Sequence, residues 1–142
     1  MNRFDKAIWV SIGLVGVVAM FDFFTYPKAF WLYSIALAVI LSIIYFIFSK
    51  DTSESIAVFA AFFIMLMFGL EDLLFYTIRP IFQSTTFGIP ESLPHLMSHP
   101  IIGKVAGWMG LTTVTPSSLI ISVIIGGIIT YYTIKYLKGV SL

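Results

Sequence analysis

Apolar positions along this chain gather into four long runs, divided by short polar or proline-bearing breaks. A helix needs roughly 20 mainly apolar residues to cross a bilayer. The runs at about 6–24, 29–48, 55–78 and 118–137 meet that length and predict four spanning helices. Pro27 separates the first pair. Lys50-Asp51-Thr52-Ser53-Glu54 forms a polar turn before the third, where Ser53 or Ser55 is placed to cap the helix. Arg79-Pro80 predicts the end of the third, because proline removes a helical donor. Pro116-Ser117-Ser118 suits the start of the fourth, since the first helical turn tolerates proline. The expected fold is an all-α integral membrane protein, with residues 1–142 as one transmembrane domain.

The segment 80–116 breaks this rhythm. It is too long for a simple connection and too interrupted to span, with Pro90, Pro94, Pro100 and Pro116 dividing it. Ile101, Val105, Trp108 and Met109 fall at helical spacing, with Lys104 off that stripe, and Trp108 suits a membrane interface. The pattern predicts a short helix in the headgroup layer or a re-entrant piece folded over the outer mouth of the bundle.

Composition sharpens the class. The chain is 59% hydrophobic and 11% charged, whereas a soluble domain is about a quarter charged. A soluble fold would leave much of this apolar surface in water. The net charge of +1 offers no nucleic-acid-binding surface. The absence of cysteine excludes disulfides, thiolate metal sites and cysteine nucleophiles. Arg3 and Lys6 before the first run resemble a signal peptide, but Met20-Phe21-Asp22-Phe23-Phe24 contains no small-residue cleavage site, so the run reads as a retained helix. With four crossings, Arg3, Lys6, Lys50, Lys135 and Lys138 share one side, and Lys28, Arg79 and Lys104 the other. That bias places both termini in the cytoplasm of a cell-membrane protein.

Small residues recur every fourth position at Ser118, Ser122, Gly126 and Thr130, and at Ser34, Ala38 and Ser42; the first run offers Gly13, Gly16 and Ala19. Such stripes let membrane helices approach closely. They mark the bundle interior or, through Ser118/Ser122/Gly126/Thr130, a contact with other membrane subunits or a second copy.

Candidate chemistry lies with the ionisable residues, which are costly inside a bilayer. Asp22, Glu71 and Asp72 fall within the predicted spans, near the outer leaflet. Adjacent helical residues point about 100° apart, so Glu71 and Asp72 cannot both face lipid cheaply. The only histidines, His95 and His99, lie four apart in the outer segment on that same side, a workable spacing for two imidazole ligands if the stretch is helical. Pro100 disfavours helical geometry at His99. One reading is a metal site of Glu71, Asp72, His95 and His99, with Asp22, holding zinc or iron beside a lipid-like substrate. Glu71 and Asp72 are its catalytic candidates, and a bound zinc would supply a water with a pKa near about 7. The bland alternative pairs the acids with Lys28 or Arg79, sets Asp72, Tyr76 and Arg79 in one helical network, and leaves the histidines as interfacial polar tips. No phosphate loop, nucleophile elbow or His-Glu-x-x-His helix is present.

The stretch Gly69-Leu70-Glu71-Asp72-Leu73-Leu74-Phe75-Tyr76 resembles the acidic-pair motif of membrane carotenoid (lycopene) cyclase domains, in which two acids precede aromatics in a helix. The family has proline where this chain has Gly69, and its motif has no counterpart of His95 and His99. The resemblance implies acid catalysis on an isoprenoid by the acid pair. Three functional classes stand open: a membrane enzyme acting on a lipid-like substrate, a small accessory subunit of a larger membrane complex, and an ion or proton transporter subunit.

Overall fold

Each long apolar run becomes helix in the computed structural model, which describes residues 3–25, 31–83 and 89–139, with the backbone alone at 3, 4, 22–25, 31–34, 82, 83 and 138. The elements are α1 (Arg3–Thr25), α2 (Trp31–Ser49), α3 (Thr52–Met67), α4 (Leu70–Gln83), a 3₁₀ turn (Pro94–Ser98), α5 (Ile102–Trp108) and α6 (Pro116–Gly139). No strand occurs among the described residues; one antiparallel bridge joins Leu93 to Val114.

α3 is the central helix and packs against α1, α2 and α6. The cores stack along it. At one end Ala7 of α1, Ala57, Val58 and Ala61 of α3 and Ile134 of α6 are buried together, with Tyr45 of α2 against them. That end collects the start of α1, the end of α2, the start of α3 and the end of α6, so successive helices alternate in direction. Val15, Val18, Ala38, Phe62, Met65 and Leu66 fill the middle. At the other end Phe75 and Tyr76 of α4 and Leu119 of α6 lie under Leu93, Leu96, Ile102, Ala106 and Val114. The segment 89–114 is therefore a folded cap over one end of a bundle. Among the described residues one helix, Pro116–Leu137, is long and apolar enough to cross a membrane by itself, with mean hydropathy 1.8.

The third apolar run is not one helix. α3 and α4 meet at a 68° bend. Phe68 N and Gly69 N turn back to Ile64 O (3.0 Å) and Leu66 O (3.1 Å), ending α3, and Gly69 O then accepts from Leu73 N (3.0 Å), starting α4. Gly69 has φ +88°, a left-handed conformation that side chains disfavour and glycine adopts freely. The run's hydropathy is continuous across this point, but its backbone is not.

Other boundaries also move. Asp51, rather than Ser53 or Ser55, caps α3: its carboxylate accepts from Glu54 N at 2.9 Å. Pro80 does not end α4, which runs on to Gln83; a proline costs the helix one donor without forcing a stop. α6 begins as expected, with Pro116 in its first turn, Leu119 N bonded to Thr115 O (3.0 Å) and Ser118 Oγ accepting from Thr115 N (2.9 Å). On α1 the buried face is Ala7, Ser11, Val15, Val18 and Ala19. Gly13 is exposed and Gly16 half-buried, so of the predicted α1 stripe only Ala19 faces inward. Ser11 Oγ donates to Ala7 O (2.7 Å) and Val58 O (3.1 Å), tying α1 to α3.

A candidate acid and histidine site

The break at Gly69 sets the site. It places Glu71 and Asp72 in the first turn of α4, where the unpaired amides of a helix start favour negative charge. Glu71 is buried and Asp72 half-buried, the two facing different directions about 100° apart on the helix. One turn on, Phe75 and Tyr76 are both buried and meet edge to face at 5.2 Å.

The cap supplies the histidines. Its ends are clasped by Leu93 N to Val114 O (2.8 Å) and by the Ser92 and Thr113 hydroxyls (2.9 Å). Within it the 3₁₀ turn lies so close to α5 that a Cβ on Gly103 would stand 2.2 Å from Met97 O. α5 closes with Gly110 at φ +73°; Leu111 N reaches Ala106 O (3.0 Å) and Gly110 N reaches Gly107 O (2.9 Å), the paired bonds of a Schellman ending. Ile102, Val105 and Ala106 face the bundle. The predicted stripe was displaced: Ile101 is half-buried, while Trp108 (80% exposed) and Met109 point away.

The histidines take different roles. Residues 94–98 are 3₁₀ rather than α, and His99 is extended at φ −69°, ψ 130°, as a residue before proline prefers. The helical i, i+4 geometry expected for a ligand pair is absent. His95 is exposed on one side and its Nε2 lies 3.2 Å from the Tyr76 hydroxyl, linking the cap to α4; the partial desolvation of its ring lowers its pKa. His99 is buried, and its Nδ1 accepts from Ile101 N and Ile102 N, each at 3.3 Å. Burial lowers its pKa to about 4, so at neutral pH the ring is uncharged. An Nδ1 that accepts from amides leaves the proton on Nε2. For Nε2 to bind a metal, that proton must leave or move to Nδ1, and moving it breaks the contacts that start α5.

Among the described residues no three histidine, aspartate or glutamate side chains are grouped to hold a metal. The side chain of Asp22, and Lys28 as a partner for the acids, lie outside the described residues. The stripe Ser118, Ser122, Gly126 and Thr130 is buried within the chain; a Cβ on Gly126 would stand 2.4 Å from Phe68 Cβ.

A second polar cluster, not read from the sequence, lies at the opposite end. Buried Glu54 of α3 pairs with Lys6 Nζ of α1 at 2.8 Å and accepts from the Tyr45 hydroxyl of α2. Its signal was available: Lys6 and Glu54 begin parallel helices, and Tyr45 lies one turn from the end of the helix between them.

Compared with protein-family models, curated proteins and solved structures, the chain matches none.

Proposed function

We propose that this chain is a multi-pass cell-membrane protein carrying an acid–base site that acts on a lipid-like substrate. Its spans in this reading are α1, α2, the bent pair α3 and α4, and α6, with both termini cytoplasmic. Support for the membrane setting comes from apolar side chains facing outward around the bundle: Trp9 on α1, Ile40, Ile43 and Ile47 on α2, and Ile124 and Ile128 on α6. A girdle of this kind is stable in lipid and an aggregation surface in water.

The observation that carries the chemistry is the break at Gly69 beneath the cap. It sets Asp72 half-buried at a helix start, next to buried Glu71, on the helix whose Tyr76 meets His95 from the cap. Asp72 and His95 are the groups a substrate entering beside the cap would meet. Tyr76 holds the His95 ring, and His99 anchors α5. A carboxyl and an imidazole supply proton donation and acceptance, and a substrate arriving from the bilayer would be lipid-like. The acid–base form is favoured over zinc or iron because His99 spends Nδ1 on the start of α5.

The test is reconstitution of the purified chain in vesicles of total membrane lipid, followed by mass spectrometry of the lipids. A lipid converted by the parent but not by Asp72→Asn or His95→Gln, with all three equally folded, is the expected result. If no lipid changes in the parent's presence, the enzyme reading fails.

A further inference from the structure

Exposed aromatic side chains gather at the end of the bundle opposite the cap. Ala7 of α1 and Ile134 of α6 are buried together there. Trp9 follows Ala7 on α1 and is exposed; Tyr131, Tyr132 and Tyr136 flank Ile134 on α6 and are exposed as well. At about 1.5 Å per residue, each stands within about 5 Å of the level that Ala7 and Ile134 share. Lys50 and Lys135 are exposed at the same end. Tryptophan and tyrosine beside lysine are the side chains that settle at a membrane–water boundary.

α6 measures the distance to the other boundary. It carries no charged residue between Pro116 and Lys135, and Ile120, Ile121, Ile124, Ile128 and Ile129 turn outward along it. From Ile134 back to Pro116 the helix rises about 27 Å, close to the roughly 30 Å thickness of a bilayer's hydrocarbon core. In the membrane setting the start of α6 therefore lies at the second boundary. α5 lies there too, because Ile102 and Ala106 share a cluster with Leu119, one turn into α6.

The outward face of α5 repeats the composition of the far end. Trp108 is exposed, and Lys104, one turn earlier on the same side, is exposed as well. Gly107 beside them adds no side chain, and a Cβ there would meet nothing within 4 Å. The opposite face, Ile102, Val105 and Ala106, is buried against the bundle. An indole has an apolar body and one N–H that seeks a partner. A lysine lays its stem along apolar surface and keeps its ammonium in the polar layer.

We propose that α5 binds phospholipid headgroups, with Lys104 Nζ donating to a lipid phosphate and the Trp108 ring lodged at the head of the acyl chains. The assignment rests on the membrane setting proposed above, and Trp9 tests that setting separately. The full chain is reconstituted in phosphatidylcholine vesicles whose lipid is brominated either near the headgroup or deep in the acyl chain. Two single-tryptophan forms are compared: Trp9→Phe/Trp31→Phe, which reports Trp108, and Trp31→Phe/Trp108→Phe, which reports Trp9. Trp108 is expected to lose more fluorescence to shallow bromine than to deep bromine, and several-fold less to aqueous iodide than free tryptophan does. Adding Lys104→Glu reduces the shallow quenching of Trp108 and shifts its emission to longer wavelength, whereas Lys135→Glu leaves both unchanged. Trp9 quenched by bromine while Trp108 answers only to iodide overturns the headgroup site and keeps the membrane setting; the cap then faces water or a protein partner. Bromine that quenches neither removes both. Trp108 quenching that Lys104→Glu leaves unchanged overturns the phosphate contact. Should the tryptophan variants not fold, a nitroxide on Gly107→Cys decides, since the chain has no other cysteine: greater access to dissolved oxygen than to a water-soluble nickel chelate supports the site, and the reverse removes it.

Discussion

Gly126 and Gly127 are neighbours on α6 that face different surroundings, and this makes them a matched test of the packing. A Cβ at Gly126 would lie 2.4 Å from Phe68 Cβ and 2.8 Å from its Cγ, while one at Gly127 would meet nothing within 4 Å. Carbon atoms prefer a separation of at least about 3.5 Å, so Gly126→Ala requires a displacement of about 1 Å. Neither Phe68 atom is the free tip of a flexible side chain, so α6 or the end of α3 must move. Overpacking of this kind costs about 1–3 kcal/mol. Alanine for glycine also gains roughly 1 kcal/mol of helix propensity, but both variants share that gain and it cancels between them. Gly126→Ala is therefore expected to be less stable than Gly127→Ala by about 1–3 kcal/mol. At about 3 °C per kcal/mol for a chain of this length, that is a gap of about 3–9 °C in melting temperature. Thermal unfolding in detergent, followed by circular dichroism, reads it directly. Equal melting of the two variants, or a more stable Gly126→Ala, would refute the close seating of α6 on Phe68 at the end of α3.

At the far end, Glu54→Ala removes the acceptor shared by Lys6 and Tyr45 and should cost about 1–3 kcal/mol, against about 1 for Tyr45→Phe; denaturation in increasing dodecyl sulfate compares them, and equal stability of all three proteins would make the cluster incidental. Acid should destabilise the fold: burial lowers the His99 pKa from 6.5 to about 4, so between those values the unfolded chain holds a proton that the folded chain does not. The stability present above pH 6.5 is then lost toward pH 4, by up to about 1.4 kcal/mol per pH unit. His95 shifts in the same direction, so His95→Asn/His99→Asn should flatten the melting profile over this range, asparagine oxygen still accepting from the α5 amides; an unchanged profile would assign the acid sensitivity elsewhere. Purified protein should carry zinc or iron far below stoichiometry by mass spectrometry, unaltered in His95→Ala/His99→Ala; near-stoichiometric metal lost in that variant would restore the metal site.

Long apolar runs were legible because helix is the conformation that pairs a chain's own backbone groups wherever twenty apolar residues must leave water. The start of α6 was legible because Pro116 has a positional meaning. The break in the third run was not, because Phe68-Gly69-Leu70 is as apolar as its flanks. The local signs were nonetheless present: a glycine able to close one helix, followed at once by two acids able to open the next. The cap helix was placed but rotated, because Ile101, Val105, Trp108 and Met109 form a stripe as regular as the one buried, Ile102, Val105 and Ala106. Periodicity alone does not say which stripe meets the bundle. The carboxylate and histidine residues stood out by type, but their geometry turned on Tyr76, whose hydroxyl looks like an interface aromatic until His95 is seen beside it.

The clasp at the base of the cap has a bearing on the protein's history and engineering. Because Leu93 and Val114 are paired directly, the two ends of the segment between them lie together, and everything between is an excursion that the helices do not need for connectivity. A two-residue turn could in principle bridge the same gap. The cap is thus a module that could have been acquired, exchanged or enlarged without rethreading a helix, and a cap from another protein could be grafted there.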